Sequence, residues 1–411
     1  MNDRAVSLLE QYEIEVTGTR KGRGAILCDT DKGTLIFKEY TGNPERLAVQ
    51  DRLLRTIAKR GLVEAESLIP TKEGAFFVKD GDGVAYLLKT FREGRECNVK
   101  DAEECAMAVR LLAKLHLCIQ DGLEEGPAMV LDEDGAKEQE NAGLPAFDGE
   151  ENGAKEQENA GLPAFDGEEN GAKEQENAEL PAFDGEENGA KEQKNAGLPA
   201  FDGEENGAKE QKNAELPAFE VAAEYEKRNR ELRRIRKYLL GRSQKTWFEI
   251  SLLGCFDAFY EQAKEATEGW LSYEAAAKRE NRASYCHGDY QYHNIILDAK
   301  NWFLINFERC VRDDPVRDLH LLMRKLLEKS NWSISLGEKL LREYEKVRPL
   351  SAISRIDLYY RLSYPEKFWK IANFYYNSGK AWIPGKNLEK LEKLMAQEKE
   401  KKEFMEAVFR V

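Results

Sequence analysis

Apolar and polar residues alternate along several short segments near the N-terminus, which is the pattern of half-buried β-strands. Five segments have this pattern: 13–19, 25–29, 34–40, 75–79 and 85–90. Residues 44–60 have helical spacing instead, with Asn43 as the expected cap before Pro44, and residues 4–11 predict a short helix. The pattern therefore predicts a small lobe of five strands and one main helix, which ends near Arg92.

After Arg92, apolar residues recur at helical spacing almost throughout. The predicted helices occupy 101–120, 224–240, 247–267 and 314–329, and an aromatic-rich helical region follows toward the C-terminus. We therefore expect an α+β chain with two lobes. The predicted N-lobe, small and β-rich, spans 1–92. The predicted C-lobe is large and helical and has two parts, 93–134 and 221–411, with an insertion at 135–220 between them.

The insertion at 135–220 is an acidic tandem repeat. Its 18-residue unit reads Gly-Ala-Lys-Glu-Gln-Glu-Asn-Ala-Gly-Leu-Pro-Ala-Phe-Asp-Gly-Glu-Glu-Asn, and the copies begin at Gly135, Gly153, Gly171, Gly189 and Gly207. Each unit offers only Leu and Phe as large apolar residues, with a Pro between them. Because so little apolar surface cannot offset the loss of chain entropy, the sequence predicts a disordered insertion rather than a solenoid.

The acidic repeats account for the net charge of −14, so the rest of the 411-residue chain is close to neutral. We expect no nucleic-acid partner. The chain has no apolar run of membrane-spanning length and no signal-peptide pattern at Met1, which predicts a protein that is cytoplasmic at synthesis and has no membrane partner. The seven cysteines show no C-x-x-C pairing, which favours buried thiols over disulfides or a zinc site.

The segment His287-Gly288-Asp289-Tyr290-Gln291-Tyr292-His293-Asn294 has the spacing of a phosphoryl-transfer loop. In such a loop an Asp accepts a hydroxyl proton and an Asn five residues later holds a metal ion. We therefore assign Asp289 as the candidate catalytic base and Asn294 as a candidate metal ligand, while His287 is expected to brace the loop. Another histidine, His116, lies on the apolar face of its helix and is expected to be packed there.

Phosphoryl transfer also needs a lysine that reaches the nucleotide phosphates, and Lys38, near the end of the third predicted strand, is the candidate. Its acidic partner is expected on the following helix, where Glu45 and Asp51 qualify by type, although a solvated helix face explains either residue. Gly22 and Gly24 fall between the first two predicted strands, shortly after Gly18 near the end of the first. Their backbone amides could approach phosphate, but a plain hairpin explains their irregular spacing equally well.

These features together resemble the aminoglycoside phosphotransferase-like branch of the protein-kinase fold. Several further stretches are similar to the spore-coat CotS family: Arg92-Glu93-Gly94-Arg95-Glu96-Cys97, Asn229-Arg230-Glu231-Leu232 and Tyr364-Pro365-Glu366-Lys367-Phe368-Trp369-Lys370-Ile371-Ala372-Asn373. The resemblance covers nearly everything outside the repeat. It implies a bilobal fold with ATP and Mg²⁺ between the lobes, Asp318 as a brace for the catalytic loop, and a place among other proteins in the coat of an endospore-forming bacterium.

One position departs from the pattern of active enzymes, because Asn306 stands where such a site normally has a metal-binding Asp. Asn294 and Asn306 together bring no negative charge to a cation that prefers carboxylates. Glu308, two residues later, faces the same side if the strand persists and could supply a carboxylate as a third metal ligand, or it could be exposed or ion-paired.

Three functional hypotheses follow from these residues. The favoured one is a coat protein that has lost efficient catalysis and acts by binding, as a pseudokinase scaffold. The alternative is a working ATP-dependent phosphotransferase on a small-molecule or protein hydroxyl. A third, antibiotic inactivation, rests on superfamily analogy alone.

Overall fold

A computed structural model describes most of the chain outside the repeats. The described residues are 7–22, 24–120, 122–123, 216, 218–276, 284–299, 301–378 and 384–409. Met1–Met129 and Gln211–Val411 form one compact unit, whereas the second unit, Val130–Glu210, lies outside the described residues. Within the described residues, no helix is both long enough and apolar enough to cross a membrane.

The N-lobe is built on a six-stranded antiparallel sheet in the order β1-β2-β3-β7-β5, with β6 also paired to β7. The strands of this half of the chain are β1 (Val16–Gly22), β2 (Ala25–Thr30), β3 (Gly33–Glu39), β4 (Glu64–Ala65), β5 (Leu68–Ile69), β6 (Val78–Lys79), β7 (Ala85–Thr90) and β8 (Arg95–Glu96). Leu35 and Phe37 on β3 and Leu88 on β7 point to one face and form the core of the sheet. Alternation along these strands is what the sequence predicted.

Several predicted elements differ from the structure. The N-lobe sheet has six strands rather than the predicted five, because Leu68–Ile69 also pairs with β7, and the predicted strand at 75–79 is only Val78–Lys79. The first strand begins at Val16 rather than at residue 13, because the Glu15 N–H donates to the Asp31 carboxylate instead of to a neighbouring strand. The strand also extends beyond its predicted end to Gly22, which pairs with Ala25, so Gly18 and Gly22 lie inside β1 and the turn to β2 is shorter than predicted. At the N-terminus, the described part of the predicted helix at 4–11 is the 3₁₀ turn Ser7–Gln11.

Helices make up most of the remaining structure. They are α1 (Leu47–Arg60), α2 (Ala102–Ile119), α3 (Val221–Gly241), α4 (Trp247–Ala276), α5 (Val316–Lys329), α6 (Ile334–Glu345), α7 (Ala352–Ser363), α8 (Glu366–Asn377), α9 (Pro384–Ala396) and α10 (Glu398–Phe409). Asn43 caps the 3₁₀ turn Pro44–Arg46 before α1, since its side chain accepts the Glu45 N–H at 3.0 Å. Asp101 caps α2 in the same way.

A second, four-stranded sheet in the order β4-β11-β10-β8 joins the two lobes. The strands of the second half are β9 (Ser284–Cys286), β10 (Ile295–Asp298), β11 (Asn301–Leu304) and β12 (Val311–Asp313). Parallel pairing of β4 with β11 ties the chain after α1 to the strand that precedes Asn306. The N-lobe and the candidate site are therefore held together by backbone hydrogen bonds.

Two apolar clusters form the core of the C-lobe, and the larger of them extends into the N-lobe. The larger one runs from α1 through α2 to α5, α6 and α7, and it includes Leu112, Leu319 and Leu340, all of which are fully buried. The other lies between α3, α4 and α8, where Phe256 and Phe368 pack edge to face at a centroid distance of 5.3 Å. The α+β, bilobal fold class predicted from the sequence is confirmed.

The end of the repeat differs from the prediction of disorder through residue 220. Leu216, in the truncated fifth copy, is buried in the larger cluster, and Phe219 packs against the other. The reason is that the two large apolar residues of this copy meet apolar surface on the C-lobe. The rest of the predicted disordered tract, 135–215 and Pro217, lies outside the described residues.

Candidate functional site

The segment from His287 to Asn294 forms a tight loop between β9 and β10. Asn294 donates from Nδ2 to the Asp289 backbone oxygen at 2.7 Å, so the two candidate residues are bonded across the loop. The Asp289 carboxylate retains 24% exposure and accepts a hydrogen bond from Gln291, with Arg309 4.0 Å away. Asp289 is therefore oriented by its neighbours and accessible to a ligand.

Asp318, at the start of α5, holds the beginning of this loop. Its carboxylate accepts the backbone N–H groups of His287 and Gly288 at 2.7 and 2.9 Å. Burial raises the pKa of Asp318, but the hydrogen bonds and charges around it outweigh burial and keep the pKa below its usual value. An ionised Asp318 is the form that accepts all these hydrogen bonds.

Two histidines complete this brace from either side. His116 on α2 is fully buried, as predicted, and its Nε2 lies 3.3 Å from Asp318. Because an ionised carboxylate only accepts, Nε2 carries the proton and Nδ1 accepts from the Tyr344 hydroxyl at 2.8 Å. His287 lies on the other side with Nε2 3.0 Å from the Ile305 backbone oxygen, and so links the loop to the Asn306 segment.

Asn306 follows β11 in a left-handed conformation, with φ of 66°. Its side chain donates from Nδ2 to Asn294 Oδ1 at 2.8 Å, so the two candidate metal ligands are hydrogen-bonded to each other. Its own Oδ1 accepts a hydrogen bond from Lys89 Nζ at 3.3 Å. Both side-chain oxygens that could face a cation are thus already used as acceptors within the protein.

Lys89, on β7, was not identified from the sequence. Its side chain is 3% exposed, and its Nζ lies 2.8 Å from Glu66 Oε2 and 2.7 Å from Glu308 Oε1. Burial lowers the pKa of Lys89, but the two carboxylates outweigh burial and hold the pKa above its usual value. A buried ammonium group is therefore fixed beside Asn306.

Lys38 lies on β3, the strand next to β7, and its Nζ donates to Glu308 Oε1 at 3.0 Å. The prediction that Lys38 pairs with Glu45 or Asp51, both in the predicted helix 44–60, is therefore wrong. Asp51 is ion-paired with Arg55 one turn along the helix, and Glu45 bonds to Asn43. Asp51 and Glu45 do not pair with Lys38 because each bonds to a residue close to it in sequence. Lys38 pairs instead with Glu308, a carboxylate of the C-lobe.

Glu308 is the central carboxylate of this cluster. Burial raises its pKa, but Lys89 and Lys38 outweigh burial and lower the pKa to about 2. Glu308 is consequently ionised and shared by two ammonium groups.

The glycine hairpin lies at the same end of the N-lobe sheet as Lys38. Gly22 pairs with Ala25 across the β1–β2 turn, and Ala25 pairs with Lys38 across the next pair of strands. Gly24 has φ of 64° in the turn itself, a conformation that favours glycine. Gly22 and Gly24 are therefore placed near Lys38 by strand register.

The side chains as arranged do not fit a divalent metal ion. Hard dications prefer carboxylate oxygens, but Asn294 and Asn306 are neutral and hydrogen-bonded to each other, while Glu308 is neutralised by two lysines. Among the described residues, no group of three or more His, Cys, Asp or Glu side chains is placed to hold a metal.

Lys89 and Glu66 were not predicted as site residues from the sequence. The one available signal for Lys89 was a charged residue in the apolar strand Ala85-Tyr86-Leu87-Leu88-Lys89, where a buried lysine requires an acidic partner. Glu66 carries no such signal. Its role arises from tertiary structure, since Oε1 also accepts the Phe307 N–H at 3.0 Å.

Comparison with protein families gives a match over the second half of the chain. Residues 210–408, just under half of the chain, match the family model described as Spore coat putative kinase YutH. The match confirms the resemblance to a spore-coat, kinase-like family over this region. A search of curated proteins found no match.

Solved structures with a similar fold include three phosphotransferases or kinases. An aminoglycoside phosphotransferase from Alicyclobacillus acidocaldarius has a TM-score of 0.65 at 16% identity, with 100% of this chain and 95% of that chain covered. Spectinomycin phosphotransferase, in complex with ADP and spectinomycin, has a TM-score of 0.54 at 10% identity, with coverages of 95% and 92%. A microcompartment-associated aminopropanol kinase has a TM-score of 0.51 at 11% identity, with coverages of 95% and 94%. At these identities the likeness shows the fold alone.

Proposed function

We propose that this chain, which matches a spore coat kinase family over residues 210–408 and has the aminoglycoside phosphotransferase fold, binds nucleotide in its cleft and acts in the spore coat by binding or scaffolding rather than by efficient phosphoryl transfer. The observation that carries this proposal is the hydrogen-bonded series Lys89–Asn306–Asn294. It leaves an ammonium group and two neutral amides where an active enzyme needs a metal site.

Nucleotide binding is supported by the unequal burial of the two lysines. The Lys38 side chain is 29% exposed and bonded to a single carboxylate, whereas the Lys89 side chain is 3% exposed. A phosphate group could therefore replace Glu308 as the partner of Lys38 without disturbing Lys89. Since Lys89 keeps its positive charge in the cleft, we expect nucleotide binding to need no added dication.

Slow catalysis follows from the same arrangement. Phosphoryl transfer depends on positioning and on neutralising charge that develops on the transferred group, a role that metal ions fill in related folds. Asp289 remains accessible to a ligand, but Glu308, the carboxylate that could act with Asn306, is bonded to both Lys38 and Lys89. We therefore expect turnover far below that of a metal-assisted kinase.

An active phosphotransferase is the second candidate, favoured by the geometry of the loop itself. Asp289 is accessible, and the bond from Asn294 to its backbone fixes its position as a base requires. If nucleotide phosphates drew both lysines away, Glu308 would become a free carboxylate beside Asn306.

The deciding experiment measures ATP binding and ATP turnover on the same protein, with excess MgCl₂ and with EDTA. Binding is followed by calorimetry and thermal shift, and turnover by ADP release, for the wild type and Asp289→Ala. Asp82→Ala, in an exposed turn of the N-lobe, is the matched control. We expect similar ATP affinity in Mg²⁺ and EDTA, and turnover no faster than in Asp289→Ala.

Two outcomes would contradict the proposal in different ways. Saturable, Mg²⁺-dependent turnover that is lost in Asp289→Ala but kept in Asp82→Ala would establish the enzyme instead. Absence of ATP binding under both conditions would remove the nucleotide from the proposed function. The coat role is tested separately by immunogold labelling of spores, where signal confined to the core or mother cell would exclude it.

A further inference from the structure

The last copy of the repeated segment Leu-Pro-Ala-Phe contacts the C-lobe at a defined place. Leu216 is 3% exposed and belongs to the larger apolar cluster. Three residues later, the Phe219 ring lies beneath the guanidinium group of Arg317 on α5, with Cζ 3.9 Å from the ring centroid. This distance is typical of a cation–π contact.

The backbone of this segment also pairs with the C-lobe. The Phe219 N–H donates to the Arg312 backbone oxygen at 2.7 Å, and Ala218 forms a parallel bridge with Arg312. Arg312 lies in β12, which pairs on its other side with β9. The segment therefore extends a two-stranded sheet by one short strand, a recognised mode of peptide binding in which side-chain pockets select the sequence.

The residues that make these contacts recur in each upstream copy. Leu-Pro-Ala-Phe occurs at 144–147, 162–165, 180–183 and 198–201 as well as at 216–219. The seven residues 177–183 are identical to 213–219, from Asn-Ala-Glu through Phe. A site that binds the Leu side chain, the strand backbone and the Phe ring cannot distinguish the copies, because these four residues are identical in all of them.

We propose that the surface formed by β12 and Arg317 is a binding site for Leu-Pro-Ala-Phe segments, that 216–219 is its resident occupant, and that upstream copies of the same chain are interchangeable occupants. The resident copy has the advantage of direct continuity with α3, whose first residue, Val221, is buried. An upstream copy must close a loop of one or more repeat units, and the entropy cost of closing a loop grows only slowly with its length. Loss of the resident copy is therefore compensated by its neighbour.

The first test compares Phe219→Ala in two backgrounds by chemical unfolding. In the full chain, Phe201 or an earlier copy replaces the lost ring, so we expect a small shift of the midpoint. In a chain lacking 135–206, which retains only the last copy, the same substitution should cause a clearly larger shift. Equal shifts in both backgrounds would overturn interchangeability, and Phe219→Leu serves as a milder substitution if Phe219→Ala fails to fold.

The second test uses a peptide with the sequence of residues 177–184, Asn-Ala-Glu-Leu-Pro-Ala-Phe-Asp, labelled for fluorescence anisotropy. It should bind the shortened Phe219→Ala or Phe219→Leu chain about tenfold more tightly than the wild type, where resident and upstream copies compete for the site. The same peptide with Ala in place of Phe is the control and should not bind. Failure of the unmodified peptide to bind would overturn the proposed site.

The source of the incoming copy is tested by sedimentation of full-length Phe219→Ala. A mass equal to that of one chain is expected for exchange within the chain. A concentration-dependent increase in mass over the wild type would place the incoming copy on a second chain and overturn the intramolecular source.

Discussion

Lys89 Nζ donates to Asn306 Oδ1 at 3.3 Å, and so places a buried ammonium group next to the residue that stands in the position of a metal-binding carboxylate. Asn306 in turn donates to Asn294, at 2.8 Å. A dication that entered this site would have to break both hydrogen bonds and approach a positive charge. The neutral amide of Asn306 and the ammonium group of Lys89 therefore act in the same direction, since both disfavour a bound dication.

Asn306→Asp should make nucleotide binding depend on Mg²⁺. A carboxylate at 306 adds the negative charge that the present pair of amides lacks, and it can compete for Lys89 with Glu308. We expect Mg²⁺ to raise ATP affinity about tenfold in this variant, a change of about 1.4 kcal/mol, measured by calorimetry in Mg²⁺ and EDTA. Asn301→Asp, on the exposed start of β11, adds the same charge outside the cluster and should show no such dependence.

Lys89→Met should destabilise the fold much more than Lys38→Met. Removing Lys89 leaves Glu66 buried without its ion-pair partner and Glu308 with one lysine only, which typically costs about 3–5 kcal/mol. The Lys38 side chain is 29% exposed, so its loss should cost about 0–1 kcal/mol. Urea unfolding of both variants measures the difference, and equal losses would mean that the buried ion pair does not form.

Glu308 should contribute stability that disappears in acid. Its folded pKa of about 2 lies below the ordinary value of 4.5, since Lys89 and Lys38 favour the ionised form more than burial disfavours it. The contribution is therefore complete above about pH 4.5 and is lost as the pH falls toward 2, an effect on the order of 3 kcal/mol. Unfolding free energies from pH 7 to 2 should fall less steeply in Glu308→Gln than in the wild type. Glu338→Gln, on an exposed part of α6, should follow the wild-type curve.

The sequence was sufficient for the features that depend on local pattern. Strand alternation identified β2, β3 and β7, and the spacing of Asp289 and Asn294 identified a loop whose two residues are bonded to each other. What could not be predicted depends on contacts between distant parts of the chain. Glu308 is 270 residues from Lys38, and no local signal distinguishes it from Glu45 or Asp51 as the partner of that lysine.

The end of the repeat illustrates the same limit. Leu216 and Phe219 carry the same local sequence as upstream copies, so composition predicted the same disorder for all of them. The contacts of this copy with β12 and Arg317 depend on tertiary structure, which composition does not report.

Gly288→Ala should disrupt the candidate catalytic loop. Gly288 has φ of 78°, and a Cβ at this position would lie 1.9 Å from the Arg309 backbone oxygen. Left-handed backbone strain alone costs about 1–2 kcal/mol, and the contact adds to it.

Gly254→Ala is the matched control, because nothing lies within 4 Å of its Cβ position on the exposed face of α4. That substitution should stabilise the helix by about 0.5–1 kcal/mol. Thermal unfolding should therefore shift in opposite directions, and a neutral Gly288→Ala would contradict the close approach of the Arg309 backbone to this loop.

Two deletions should show which part of the repeat contributes to the free energy of unfolding. Deleting 135–206 keeps the last Leu-Pro-Ala-Phe copy and should leave the free energy of unfolding nearly unchanged, because the removed residues supply little apolar surface.

Deleting 135–219 also removes Leu216 and Phe219, whose burial is expected to stabilise the fold by about 1.5–3 kcal/mol for each fully buried side chain. Phe219 is only partly buried, so we expect a total loss of about 3 kcal/mol, measured by urea unfolding of both chains. A matched chain lacking 135–206 with Leu216→Ala should lie between the two deletions. If the longer deletion is as stable as the shorter one, the contacts of Leu216 and Phe219 make no net contribution to the fold.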